Sequence, residues 1–208
     1  MKFDRSIKTL GGIAVASVIL GSGAAQAGIS ATKHNLSTSR QYTTLGSDLR
    51  TDTTEICLFC HTPHMTTSKP NDIPLWNHQV STVGTNYIMY SSATLNASIV
   101  DFDGPGTTAN ATVTTLCLSC HDGTVAINAL YNESNMSGSV NCDTVGADWD
   151  DANCLMPVGS NANLGTDLSN DHPVNFEYNA ALVTADGYLH NPGDIAPVRL
   201  YDGRVQCA

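Results

Sequence analysis

Cys57-Leu58-Phe59-Cys60-His61 and Cys117-Leu118-Ser119-Cys120-His121 each place two thiols three positions apart, with an imidazole directly after the second. Such a group can add both thiols to the two vinyl groups of a haem, forming thioethers, while the histidine turns onto the iron from one face. Two residues between the cysteines put both sulfurs near the same edge of the porphyrin. Paired cysteines also serve other chemistries: two C-x-x-C pairs can bind one zinc ion through four thiolates, and a single pair can act as a thioredoxin-like redox centre. Zinc does not require a histidine after both second cysteines, and a thioredoxin-like centre needs a surrounding βαβ pattern that this chain lacks. The expectation is covalent haem c at both motifs, with His61 and His121 as proximal ligands.

An iron held by one histidine keeps an open sixth position, which suits catalysis, or takes a second side chain and suits electron carriage. Beyond the proximal pair there remain His34, His64, His78, His172 and His190, of which one or two are expected to be ordinary surface residues. Met65, Met89, Met136 and Met156 are alternative ligands, but none has a context that favours it over histidine. The expectation is therefore histidine on both faces. His64 follows His61 by three residues, which on a helical turn puts it on nearly the same side. It cannot reach the far face of the same iron, so as a ligand it would serve a neighbouring haem and draw two haems close together.

Cys142 and Cys154 lack both the two-residue spacing and a following histidine. In an oxidising compartment they are expected to pair as a disulfide, the alternative being two free thiols in a loop. Arg204-Val205-Gln206-Cys207-Ala208 reads like the entry to a third C-x-x-C-H, cut off at Cys207. The competing reading of Cys207 is a free or intermolecularly bonded thiol.

The elements that must position these groups are sparsely written. Thr43 to Thr54, Asp101 to Ala111 and Asn132 to Asp151 are polar or rich in Gly, Asn, Ser and Thr, which reads as loop. Helical periodicity is nearly absent; Val125 to Tyr131 suggests a short helix, and Asn86 to Tyr90 and Ala111 to Leu116 suggest short strands. Aromatic residues make up 6% of the chain, so large side chains for a core are few. The expected fold is mostly irregular coil with a few short helices and strands, wrapped around haem. At the start, Lys2, Arg5 and Lys8 precede an apolar run from about Leu10 to Leu20 and the small residues Ala25-Gln26-Ala27, as in an export signal over residues 1–27. That run is too short and too interrupted by glycine to span a bilayer, and no later stretch is apolar enough. Removing it takes away Lys2, Arg5, Lys8 and Asp4, so the formal charge moves from −10 to −12. An acidic chain of this kind is repelled by nucleic acid and anionic lipid.

Several stretches together resemble the multihaem cytochromes of metal-reducing bacteria with doubled C-x-x-C-H motifs, including the outer-surface OmcE/OmcS type that polymerises into conducting filaments. They are Gly28-Ile29-Ser30-Ala31-Thr32-Lys33-His34-Asn35-Leu36, Cys57 to His64, Pro74-Leu75-Trp76-Asn77-His78, Cys117 to Ala126, Asp171-His172-Pro173-Val174 and Leu200 to Ala208. The resemblance implies a single multihaem domain over residues 28–208, continuing in relatives past the position of Cys207. It implies distal ligation by His34, His64 and His172, with His78 and His190 as further candidates, and places His34 on a haem of the adjacent subunit. It also implies an exported electron carrier rather than an enzyme, in the periplasm, on the outer surface or outside the cell. Electrons would hop between closely spaced haems to other cytochromes, copies of the same chain or extracellular acceptors. The rival reading is a multihaem reductase with an open catalytic haem. The ligand surplus argues against it, as does the lack of a Lys, Arg and Tyr cluster to bind an oxyanion.

Overall fold

The structure, a computed structural model, describes residues 28–39, 48–62, 75–81, 87–100, 102, 112–133, 141–145, 153–195 and 198–207. The leader expected over 1–27, and His64, lie outside them. The elements are β1 (Asp48–Thr51), α1 (Val113–His121), β2 (Cys142–Val145), β3 (Phe176–Glu177), α2 (Ala180–Asp186) and β4 (Arg204–Val205). β1 pairs antiparallel with β2, Thr51 opposite Cys142, and β3 pairs antiparallel with β4, Phe176 opposite Val205. Single-turn 3₁₀ segments lie at Ile29–Ala31 and Pro192–Asp194. Everything else described is turn, bend or isolated bridge, which agrees with the irregular fold expected from composition.

Where the local expectations fail, tertiary bonding has overruled propensity. Ala111 to Leu116 suggested a strand because Thr112, Val113, Thr114 and Thr115 are β-branched. In the structure α1 begins there. Thr112 is its N-cap, its hydroxyl accepting from Thr115 N–H, and Thr115 Oγ1–H donates back to Thr112 O at 2.7 Å. Thr114 and Leu118, four residues apart on one face, are both buried, and this packing offsets the weak propensity. Val125 to Tyr131 is not a helix. Its backbone donors turn outward instead, Ile127 N–H to Cys154 O at 3.0 Å and Tyr131 N–H to Asn77 O at 2.7 Å. The strand expected over Asn86 to Tyr90 reduces to one parallel bridge between Ile88 and Asp167. The polar stretches read as loops around residues 43–54 and 132–151 contain β1 and β2.

Among the described residues, two small apolar clusters form the core. The first holds Leu58, Phe59, Ile127 and Leu130, with Leu36, Cys60, Cys120 and Cys142 packed against it. The second holds Tyr87, Phe102, Leu118, Leu168 and Val174, with Met89 and Cys207 against it. Cys142 and Cys154 are joined as a disulfide with Cα atoms 6.0 Å apart, tying the first residue of β2 to the loop that bonds Ile127. Among the described residues no helix is long and apolar enough to cross a membrane.

Candidate haem-attachment site

The first motif is one tight turn. Cys60 and His61 N–H both donate to Cys57 O, at 3.2 and 2.8 Å, so the two thiols stand on consecutive faces of a single helical loop. The second motif occupies the last turns of α1. Asp122 caps the helix, its N–H donating to Leu118 O, and Gly123 follows at φ +70°. Asp122 is buried and fully used: one carboxylate oxygen accepts from Tyr87 O–H at 2.5 Å, the other from Thr124 N–H and Oγ1–H at 2.8 Å each. Burial, followed by the bond to Asp122, raises the Tyr87 pKa. The residue directly after His121 therefore locks the helix end to the second core cluster.

A short strut joins the motifs. Asn77 N–H donates to Cys60 O at 3.2 Å and Asn77 Nδ2–H to Leu58 O at 2.7 Å, while its Oδ1 accepts from Asn132 N–H. The next residue, His78, is fully buried, with Nδ1 3.1 Å from Ser119 Oγ and Nε2 3.0 Å from Ala126 O. Desolvation lowers its pKa. In the neutral ring that this favours, Nε2–H donates to Ala126 O, and Nδ1 lies against Ser119 Oγ, whose own hydrogen goes to Leu116 O at 2.7 Å. With both ring nitrogens against protein atoms, His78 connects the two motifs in this structure. Sequence reading missed Asn77 altogether.

His121 is the best oriented of the imidazoles. Its Nδ1 lies 2.7 Å from Ala162 O, and its backbone carbonyl accepts from Leu164 N–H at 2.7 Å. A carbonyl on Nδ1 sets the tautomer and leaves the Nε2 lone pair for a metal. The loop supplying both bonds is braced by Asn163, whose Nδ2–H donates to Met156 O at 2.8 Å and whose Oδ1 accepts from Gly165 N–H at 2.9 Å. His34 faces His121, with ring centroids 6.1 Å apart and planes at 73°. Desolvation, and then the neighbouring His121, lower the His34 pKa, so it favours the neutral, metal-binding form. Its position is fixed next door. Asn35 is buried, donating to Ser30 O at 3.0 Å and accepting from Ser37 Oγ–H at 2.7 Å, and Leu36 O accepts from Thr51 N–H in β1.

An imidazole nitrogen binds a first-row metal at about 2 Å and lies roughly 1 Å from its own ring centre, so two imidazoles on opposite faces of one iron hold their centres roughly 6 Å apart. The His34 and His121 rings fit that spacing. The resemblance assigns His34 to a haem of the adjacent subunit, whereas here it stands beside His121 of its own chain.

The chain matches no protein-family model and no curated protein. The remaining candidates are dispersed. His61 is exposed, its backbone bridged to Trp76. His172 is exposed; the Cys117 thiol chiefly lowers the Cys207 pKa, with His172 a lesser contributor. His190 is exposed and makes no bond to either motif; its carbonyl accepts from Tyr178 O–H. Cys57, Cys60, Cys117, Cys120 and Cys207 are free thiols. Cys60 and Cys120 pack against the same cluster, and burial pushes the Cys120 thiol up to about 12, with Cys60 contributing. The two motifs are thus neighbours. Among the described residues no three His, Cys, Asp or Glu side chains gather as a metal-binding group; a haem iron asks for only two axial side chains. The buried side-chain polar atoms without a partner among the described residues are Glu55 Oε2 and Trp76 Nε1, and both flank the first motif. Buried polar atoms of this kind call for a partner. The residues present fit a covalently held haem at each motif.

Proposed function

We propose that the chain is an exported electron carrier with two covalently attached c-type haems. Cys57 and Cys60 with His61, and Cys117 and Cys120 with His121, would hold them, and His34 would be the second axial ligand opposite His121. When bound, each haem supplies a one-electron iron couple. The chain's own residues do the rest: Ala162 O orients His121, Asn35 and Leu36 hold the His34 loop, and the Asn77-His78 strut fixes one motif against the other. The observation that carries the reading is the His34–His121 pair at 6.1 Å beside a two-thiol motif, with Nδ1 of His121 already bonded. Neighbouring attachment sites suit electron hopping between haems, with other cytochromes, further copies of the chain or extracellular acceptors as partners, including assembly into a filament.

The intact mass of the exported protein tests attachment, and two haem increments are expected. His34→Ala should then convert the haem at the second motif from low-spin, six-coordinate to high-spin, with rapid carbon monoxide binding after reduction. An unmodified mass overturns the reading. Fast carbon monoxide binding by the unaltered protein would point instead to a reductase with an open iron.

A further inference from the structure

We infer that Cys117 and Cys207 join as a disulfide in the haem-free exported chain, and that this bond must open before the second motif is filled. The second half rests on the haem reading; the first does not. The end of β4 is seated on the first turn of α1 by a buried polar network. Cys207 N–H donates to Thr114 Oγ1 at 3.0 Å, Thr114 Oγ1–H donates to Gln206 Oε1 at 2.6 Å, and Gln206 Nε2–H donates to Asn175 Oδ1 at 2.9 Å. Thr114, Asn175 and Gln206 are all buried, so this seat is a fixed part of the fold. Cys117 lies one turn beyond Thr114 on the same helix face, so its thiol and that of Cys207 come together at this seat, and each acts on the other, raising the Cys117 pKa and lowering that of Cys207.

The competing thiols Cys120 and Cys60 act on Cys117 electrostatically but are seated elsewhere. Cys120 and Cys60 pack against the cluster of Leu58, Phe59, Ile127 and Leu130, whereas Cys207 packs against the cluster that contains Leu118. The two thiols of the second motif therefore face different neighbours. Oxidation removes two protons and two electrons from Cys117 and Cys207 as their S–S bond forms. A disulfide oxidant such as glutathione disulfide accepts both electrons, and its own S–S bond breaks to two thiols. Thioether formation at Cys117 needs the free thiol, so exchange with a thiol reductant must release it first.

The test uses the full chain exported by a host that lacks haem-attachment machinery, equilibrated with glutathione disulfide, quenched in acid, alkylated and digested without reduction. A Cys117–Cys207 cross-linked peptide is expected as the main product of these two residues, with Cys120 alkylated, and it should persist in Cys120→Ser. A Cys117–Cys120 cross-link, or Cys117 and Cys207 both alkylated in most molecules, overturns the proposal; a chain that fails to fold would give that short-range pattern and counts against it equally. Haem-loaded protein provides the separate arm, because a second haem increment should coincide with an alkylatable Cys207. If no haem ever attaches but the cross-link forms, the function falls and the disulfide stands.

Discussion

His121 and His78 show how much a ring's surroundings decide for the same side chain. One has Nδ1 on a carbonyl and a second imidazole beside its ring; the other has both nitrogens against protein atoms. His78→Ala should cost about 2–4 kcal/mol through a cavity and the lost hydrogen bond to Ala126 O, leaving the haem spectrum unchanged. Loss of a low-spin signal in that variant would make His78 a ligand instead. Burial holds the His78 pKa below the 6.5 of a free imidazole. As pH falls below about 6.5 the unfolded chain takes up a proton there that the folded chain does not, so stability is complete above that pH and declines as pH drops towards the folded value. Melting temperatures between pH 8 and pH 5 should show this fall, and His78→Ala should flatten it. The residue types at the attachment motifs were plain in the sequence because adjacency fixes them. The resemblance named His34 as a distal ligand, but that it stands beside His121 of its own chain, and how His78 is bonded, were not legible, since each depends on contacts many residues away.

At the scale of elements, α1 was misread because β-branched residues dominate its start, and only the Thr112 cap and the buried Thr114 and Leu118 reveal it. Its end carries more consequence. Gly123 adopts φ +70°, and an added Cβ would run into the side-chain amide of Asn163. Asn163 braces the loop whose Ala162 carbonyl orients His121, so the glycine permits both the turn and the close approach. Gly123→Ala should therefore lose about 1–3 kcal/mol through backbone strain and also disturb the axial bond. The measurement is thermal unfolding together with carbon monoxide binding to the reduced protein. Faster carbon monoxide binding than in the parent is expected, and a stability loss with unchanged ligand binding would show that the loop does not transmit the strain. The Gly123 signal lay in the sequence, two residues after His121, but its meaning needed the fold to bring residue 163 alongside.

For the whole molecule the question is what holds so irregular a chain together. Leu58, Phe59, Ile127 and Leu130 make one cluster, and Tyr87, Phe102, Leu118, Leu168 and Val174 the other. Among the described residues these are small cores, and three of the free thiols, Cys60, Cys120 and Cys207, pack against them. Low aromatic content announced this shortage; which residues would close around the motifs was not legible, because the segments that meet there are far apart in the chain. If haem completes the core, removing one attachment site must cost far more than two surface thiols would. A haem covering even roughly 200 Å² of apolar protein surface contributes about 5 kcal/mol at about 25 cal/mol per Å². Each kcal/mol moves the melting temperature of a chain this size by about 2–4 °C. Replacing Cys57 and Cys60 together by alanine should accordingly remove one haem increment from the intact mass and lower the melting temperature by about 10–20 °C. Because Asn77 and His78 link the first motif to the second, the loss should appear as one cooperative transition at lower temperature. A variant that loses the haem yet melts within about 2 °C of the parent would show that the two clusters and the Cys142–Cys154 disulfide suffice, and the haem-core account would fail.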